Sequence, residues 1–215
     1  MTAPLTLYLI RHGEVHNPEK ILYGRMPGYG LSATGRQQAT AAGRALAEVP
    51  LDAFYASPMQ RAQETAGIIA DVHPQEITIQ TEERLNEVHT PYDGTPFSEL
   101  EPNMLDIYFG NEAPHEQPRD VRRRLLTFLA DMREQYAGGT VACVTHGDIV
   151  VAAFMYAKGQ DENDIGRSRH EPGNWGRLSA LGLPERYPAT ASLSRLDYIT
   201  SNPDEIPAYT YYRPY

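Results

Sequence analysis

Two arginines and two histidines stand just after three short apolar runs of the sequence. The runs cover residues 5–10, 53–57 and 141–145. Arg11 and His12 follow the first run. Arg61 lies shortly beyond the second, and His146 directly follows the third. Runs of this length without Pro or Gly are typical of buried strands. Because the ligand crevice of an open α/β sheet lies outside the carboxyl ends of its strands, we expect these four side chains to share one crevice.

These residue types suit the transfer of a phosphoryl group. The guanidinium of arginine is a planar fork that binds two phosphate or carboxylate oxygens at once. A neutral imidazole is a competent nucleophile near pH 7 because its pKa lies close by. The arginines and the second histidine would neutralise charge on the phosphoryl oxygens during transfer. A leaving alkoxide also needs a proton, and the acidic segment 82–93 offers carboxyl groups whose pKa an apolar site would raise.

Hydrophobic periodicity indicates which elements must position these residues. Short apolar runs alternate with segments whose apolar residues recur every three or four positions, which predicts an α/β fold. The sequence predicts helices over about 33–47, from 57 or 58 to about 69, over about 98–108, over 119–136 and from about 149 to 157, and further strands at 77–79 and 191–199. Ser32 or Thr34 is expected to cap the first helix, and Ser57 the second. A long loop rich in turn residues, 14–33, carries Arg25 as a further cation for a ligand.

Composition limits the function classes. The 215 residues are enough for one α/β domain spanning 1–215. The net charge of −9 argues against nucleic acid as a partner, although local arginines can still bind a small anion. The single cysteine, Cys143, lies in an apolar run and is expected to be a buried packing residue. With no signal peptide visible and no apolar stretch near the ~20 residues that span a bilayer, we expect a soluble cytoplasmic protein without a membrane partner.

Three motifs resemble those of a known family. Arg11-His12-Gly13-Glu14, with Asn17 further on, resembles the signature of the histidine phosphatase superfamily, which includes the cofactor-dependent phosphoglycerate mutases. The segments 57–66 and 144–147 resemble that family's second arginine motif and second histidine motif. The resemblance covers roughly residues 5–155. It implies a three-layer α/β/α sandwich with a mostly parallel central sheet, and a phosphatase that needs no metal or other cofactor.

The resemblance also implies roles for individual residues. His12 would be the nucleophile that becomes phosphohistidine, and Glu87 matches the proton donor. Arg11, Arg61 and His146 would take part in catalysis by binding the phosphoryl group, with Asn17 as an additional donor. Arg25 of the long loop and Gly147 are further predicted substrate-binding residues. The segment after Glu87 departs from the family pattern, so Glu83, Asp93 and His89 remain alternative donors. Val15 replaces a commoner Thr or Ser, which removes one phosphate contact.

Other interpretations were weighed against the phosphatase. A mutase would carry an aspartate in the loop 26–31 and a paired-arginine insertion; here the run 122–124 falls in a helix pattern and is expected to be a solvated face. A metal hydrolase using His12, His146 and a carboxylate is disfavoured because the fixed cation Arg11 would repel a metal. A phosphate-binding module without turnover is a third alternative.

Two features leave substrate and assembly open. The polar segment 160–177 is a candidate flap over the site. The tyrosine-rich tail 209–215 is expected to pack either on the domain or on a second subunit, as in a homodimer. The substrate is expected to be a small phosphorylated molecule, but no motif distinguishes a sugar phosphate from a nucleotide or a phosphorylated acid.

Overall fold

One mixed sheet forms the centre of the molecule. The structure, a computed structural model, describes residues 4–101, 105–160, 178–179, 181–185 and 187–215. The strands are β1 (Leu5–Arg11), β2 (Ala53–Ala56), β3 (Ile79–Thr81), β4 (Thr140–Thr145), β5 (Leu193–Tyr198) and β6 (Ala208–Tyr212). The helices are α1 (Ala33–Leu46), α2 (Gln60–Val72), α3 (Phe97–Leu100), α4 (Pro118–Gln135) and α5 (Gly147–Ala157), with one 3-10 turn at Glu83–Leu85.

The order and direction of the strands place four of them with their carboxyl ends at one edge of the sheet. The sheet runs β3-β2-β4-β1-β5-β6, and its first four strands are parallel. β5 is antiparallel to β1, and β6 is antiparallel to β5. Arg11 at the end of β1 is level with Thr145 at the end of β4, and Ala56 at the end of β2 is level with Val144. The predicted mostly parallel sheet is therefore confirmed.

Helices cover both faces of the sheet, which is typical of parallel strands buried on both sides. One apolar cluster joins the sheet to α1 and α2 through side chains such as Phe54, Leu46 and Ile69. The other joins it to α4 and α5 through Phe128 and Phe154, among others. This confirms the three-layer α/β/α arrangement. Cys143 is fully buried in the second cluster, as expected of a packing residue.

Several boundaries differ from the sequence-based prediction. The third strand lies at Ile79–Thr81, and the helix expected over 98–108 is limited to Phe97–Leu100 before the gap at 102–104. The tail forms β6 and pairs with β5, a strand that its alternating tyrosines did not reveal. The segment 161–177 of the predicted flap lies outside the described residues. No helix in the described part of the chain is long and apolar enough to cross a membrane.

Candidate active site

The sheet edge assembles the predicted cluster. Arg11 ends β1 and His12 follows it, Arg61 lies in the first turn of α2, and His146 precedes α5 directly after β4. The backbone N–H of His12 donates to the carbonyl of Thr145 at 2.9 Å, which continues the ladder between β1 and β4 beyond the strands. The imidazole rings of the two histidines lie with centroids 5.2 Å apart. Side chains that are far apart in sequence are thus brought into one buried cluster.

The hydrogen bonds of His12 define its tautomer. Its Nδ1 lies 2.8 Å from the carbonyl oxygen of Gly13, and its Nε2 lies 3.2 Å from Nε of Arg61. A carbonyl only accepts and a guanidinium only donates, so Nδ1 carries the proton and Nε2 keeps its lone pair. Burial, then the nearby charges of Arg61 and Arg11, lowers the pKa of His12 well below its usual value. The imidazole is therefore neutral at pH 7, with a nucleophilic nitrogen facing the arginine.

Arg61 is the hub of the cluster. It is only 1% exposed, and its Nη2 donates to the carbonyl of Gly24 at 2.8 Å and to Nδ1 of His146 at 3.1 Å. The same nitrogen lies 3.4 Å from Oε2 of Glu87. The ring of Tyr23 stacks on the guanidinium, with its centroid 4.8 Å from the central carbon. The sequence prediction that Arg61 points into the crevice is confirmed by this geometry.

His146 is held in one orientation by partners on both sides. Because Nδ1 accepts from Arg61, Nε2 carries the proton and donates to Oγ of Ser57 at 2.7 Å. Burial, followed by the charge of Arg61, lowers the pKa of His146 well below its usual value. The prediction that Ser57 caps α2 is wrong. The helix begins at Gln60 after Met59, and the Ser57 hydroxyl is turned to the histidine instead.

Arg11 offers an unpaired donor at the mouth of the cluster. Its Nη1 donates to the carbonyl of Pro188 at 2.6 Å, and its guanidinium lies 4.9 Å from the ring centroid of Tyr187. Its Nε is buried and has no hydrogen-bond partner among the described residues, an unfavourable state that an anion would relieve. Gly147 allows this arrangement, since a Cβ there would collide with the Tyr187 ring.

Glu87 is the carboxylate that faces the two histidines. Its Oε2 lies 3.4 Å from Nδ1 of His146 and 3.4 Å from Nη2 of Arg61. Its Oε1 accepts the backbone N–H of Val88 at 2.9 Å. The carboxylate is therefore in hydrogen-bond reach of the space in front of His12.

The three alternative proton donors lie elsewhere. Asp93 accepts the backbone N–H of Arg25 at 2.9 Å, and burial raises its pKa. Nδ1 of His89 lies 3.1 Å from a backbone carbonyl, and Glu83 accepts from the amide of the residue three positions on. Among the described residues, which include all three, none of them forms a hydrogen bond or an ion pair with the histidine pair. The geometry therefore favours Glu87.

A cluster of charged side chains binds the backbone carbonyl of Glu87. The carbonyl of Glu87 accepts from Nε of Arg25 at 2.8 Å and from Nη2 of Arg124 at 3.3 Å. Both arginines pair with Glu116, at 3.0 Å and 2.7 Å. Glu116 also accepts the backbone N–H of His89 at 2.8 Å. We call Arg25, Glu116 and Arg124 the acid-loop clamp.

The arginine run on α4 was predicted as a solvated face, and for Arg124 that prediction is wrong. Its side chain is 15% exposed because Glu116 and two backbone carbonyls receive its donors. Arg123 fits the prediction, with an exposed side chain paired to Asp120. Arg122 donates to the carbonyl of Gln160 at 2.6 Å. No local pattern reveals the clamp, since Glu116 lies in an irregular segment eight residues before its partner.

Two further predicted substrate contacts are engaged by the protein itself. The side-chain amide of Asn17 donates to and accepts from the backbone of Ile21, at 2.9 Å and 3.2 Å, which closes the loop after β1. The guanidinium of Arg25 is directed at Glu116 and Glu87 rather than at the histidine pair. Their contacts with a substrate stay predictions.

The possible metal ligands at this site are the two histidines and Glu87. Ligand atoms of His12, Glu87 and His146 lie within 4.8 Å of one another, close enough to surround an ion. However, the lone pairs of both histidines already accept from Arg61, which also faces the carboxylate. A fixed cation among the three ligands favours an anion at this position over a metal.

An α/β sheet with two arginines and two neutral histidines at its carboxyl edge has the groups that suit a phosphate anion. The family model of the histidine phosphatase superfamily (branch 1) matches residues 7–184. The chain therefore belongs to this superfamily, whose description indicates phosphatase chemistry in general.

Individual relatives agree with this assignment. The chain is 37% identical to Uncharacterized protein Rv0525 of Mycobacterium tuberculosis over 167 residues, covering 74% of this chain and 82% of that one. It is 31% identical to Phosphoserine phosphatase 1 of Hydrogenobacter thermophilus, covering 72% and 77% of the two chains. Mycobacterial glucosyl-3-phosphoglycerate phosphatase Rv2419c has the same fold, with a TM-score of 0.73 over 97% of both chains at 20% identity.

Proposed function

We propose that this protein is a metal-independent phosphomonoester hydrolase that forms a phosphohistidine on His12. The observation that carries the proposal is the tautomer of this residue. A buried neutral imidazole directs an unprotonated Nε2 at donors of Arg61, where a phosphoryl group would find both a nucleophile and a fixed cation. Its substrate would be a small phosphorylated molecule. The phosphoserine and glucosyl-3-phosphoglycerate phosphatases among its relatives support hydrolysis, and their names give different substrates.

In the first step, the lone pair of His12 Nε2 attacks phosphorus and the bond to the leaving oxygen breaks. Arg11 and Arg61 bind the phosphoryl oxygens and offset their charge, and His146 accepts from Nη2 of Arg61 and so orients that guanidinium. The proton for the leaving oxygen comes from Glu87, whose carboxyl group faces the same space. The products are the free alcohol, phosphohistidine and the Glu87 carboxylate.

In the second step, a water molecule attacks phosphorus from the side that the alcohol has left. Glu87 accepts a proton from this water, the phosphorus–nitrogen bond breaks, and the lone pair returns to Nε2 of His12. The hydrogen bond that Nδ1 of His12 donates to the Gly13 carbonyl stabilises the positive charge on the ring while Nε2 is phosphorylated. Inorganic phosphate leaves and Glu87 is protonated for the next cycle.

The test is hydrolysis of an aryl phosphate between pH 5 and 8, with and without a chelator. We would compare the wild type with His12→Ala and, as a matched control, with His16→Ala, which removes an exposed histidine. Chelator-resistant turnover that only His12→Ala abolishes is the expected result. Turnover that survives in His12→Ala would overturn the proposal, and turnover that a chelator abolishes would indicate the metal hydrolase.

A lack of turnover in every variant would point to the two other interpretations. Phosphohistidine formed from a bisphosphorylated donor, without net hydrolysis, would indicate a mutase. Phosphate binding without any covalent label would indicate a binding module. Either result would contradict hydrolysis as the function.

A further inference from the structure

A cavity of about 280 Å³ opens beside the histidine pair. Arg11 and Glu87 form the wall nearest the histidines, and Tyr187 and Tyr23 flank them. Away from these groups the lining is predominantly apolar. Its apolar side chains are Leu22, Val88, Phe97, Leu100, Leu105 and Ile107. They come from the loop after β1, the segment around α3 and the chain after Glu87, so no single motif of the sequence indicates them.

The position of the cavity identifies which part of a substrate would enter it. A phosphoryl group bound between Arg11, Arg61 and His12 has its leaving oxygen on the side of the proton donor. Glu87 lines the cavity, so the group attached to that oxygen would extend into it. This reasoning rests on the proposed function, since it uses Glu87 as the donor.

The charges of the cavity select against a second anion. Among the described lining residues, Arg11 is the only cation, and the phosphoryl group would engage it. Of the two acidic side chains in the lining, Glu87 carries a proton before transfer in the proposed mechanism, and Asp148 supplies the negative charge. The carboxylate of Asp148 is buried, and it accepts hydrogen bonds from the hydroxyls of Tyr108 at 3.1 Å and Tyr187 at 2.9 Å. A carboxylate or second phosphate on the leaving group would lose its hydration here and face a like charge.

We propose that the cavity is the leaving-group site and that it takes phosphomonoesters of uncharged, largely apolar alcohols and phenols. Substrates whose leaving group carries a carboxylate or a second phosphate are excluded. The free energy of transfer of each methylene from water into the apolar lining raises kcat/KM about fourfold until the cavity is filled. An anionic leaving group does not show this rise in kcat/KM.

The first experiment compares alkyl monophosphates of increasing chain length with analogues of equal length that end in a carboxylate. We expect kcat/KM to rise about fourfold for each methylene and the carboxylate to lower it by tenfold or more. Equal or better hydrolysis of the carboxylated analogue, or rates that do not depend on chain length, would overturn the proposal.

Three variants locate the effect in the cavity. Phe97→Ala should flatten the dependence on chain length, whereas Phe109→Ala, which removes an exposed phenylalanine outside the lining, should leave it unchanged. Asp148→Asn should reduce the penalty of the carboxylated analogue, because it removes the opposing charge and keeps the shape. If neither Phe97→Ala nor Asp148→Asn changes the discrimination, this cavity is not the leaving-group site.

A separate substrate distinguishes failure of this proposal from failure of the proposed function. Acetyl phosphate has a small leaving group that departs without a proton, so it reports on His12 alone. Hydrolysis of acetyl phosphate that His12→Ala abolishes, together with indifference to chain length and charge, would refute the leaving-group site and leave the phosphohistidine mechanism intact. If His12→Ala has no effect on acetyl phosphate either, the proposed function fails and this inference fails with it.

Discussion

Nε of Arg61 donates to Nε2 of His12 across 3.2 Å, so a permanent cation faces the lone pair of the buried imidazole. This relationship explains two properties of the site. The positive charge disfavours protonation of the ring and contributes to its low pKa. The same N–H lies where the oxygens of a phosphoryl group would arrive when that lone pair attacks phosphorus. A single arginine therefore keeps the imidazole of His12 neutral and, in the proposed function, offers a binding group to the substrate.

Replacing the forked guanidinium of Arg61 with the single ammonium of a lysine tests that dual role. Arg61→Lys keeps the positive charge but cannot contact His12, Gly24 and His146 together. We expect kcat/KM for an aryl phosphate to fall about 10²–10³-fold, the range for loss of one positioned donor. Inhibition by inorganic phosphate should weaken as well. Arg36→Lys, which changes an exposed arginine, is the control. If kcat/KM of Arg61→Lys stays within threefold of the wild-type value, Arg61 does not have the dual role.

The proton-donor role of Glu87 predicts a dependence on the leaving group. Glu87→Gln removes the proton but keeps the shape, so alkyl phosphates should lose about 10²–10³-fold in kcat/KM. A nitrophenyl phosphate, whose leaving group departs without a proton, should lose far less. Glu83→Gln is the matched control, because Glu83 was an alternative donor in the sequence and lies outside the cluster. Equal losses for both substrate types would assign Glu87 another role.

The acid-loop clamp should act through the position of Glu87. Glu116→Gln leaves Arg25 and Arg124 without their shared carboxylate, which loosens both donors on the Glu87 carbonyl. We expect kcat for alkyl phosphates to fall about tenfold, a modest effect for a positioning residue, while KM for the aryl phosphate stays unchanged.

Two variants separate this positioning effect from loss of the fold. Glu112→Gln, on an exposed carboxylate nearby, should have no effect. Glu116→Asp should restore part of the alkyl-phosphate activity. A Glu116→Gln enzyme that loses both substrates in parallel with its thermal stability would show that the clamp supports only the fold.

The buried neutral histidines predict how stability depends on pH. Their pKa values are lowered in the folded protein, so between those values and about 6.5 the unfolded chain binds more protons than the native one. The free energy of unfolding is therefore highest above pH 6.5. It should decrease as the pH falls below 6.5, by up to about 1.4 kcal/mol per pH unit for each histidine.

Urea unfolding at several pH values between 5 and 8 measures this slope. His146→Asn should make the slope shallower, because it removes one of the two groups that cause it. His16→Asn should not, because that side chain is exposed. If His146→Asn keeps the full slope, the pKa of this histidine is not lowered in the folded protein.

Much of the architecture could be predicted because its signals are local. Apolar runs and three-to-four periodicity located β1, β2 and β4 and most of the helices, and Ser32 caps α1 as expected. The positions of Arg11, His12, Arg61 and His146 just beyond strands predicted a common crevice, since parallel strands end at one edge. β6 was missed although Tyr209 and Tyr211 alternate along it, because the strand is short, lies at the edge of the sheet and has no fully buried residue.

The sequence by itself determined which chemical groups meet at the sheet edge and therefore which class of reaction they suit. Only the tertiary structure decided the tautomer of His12, the position of Glu87 rather than Glu83, Asp93 or His89 beside the histidine pair, and the partner of Ser57. Each of these depends on distances between atoms that are tens of residues apart in the chain, or on which side of a loop a group faces. Periodicity carries no information about such distances, because hydrogen bonds and burial are set when separate elements pack together.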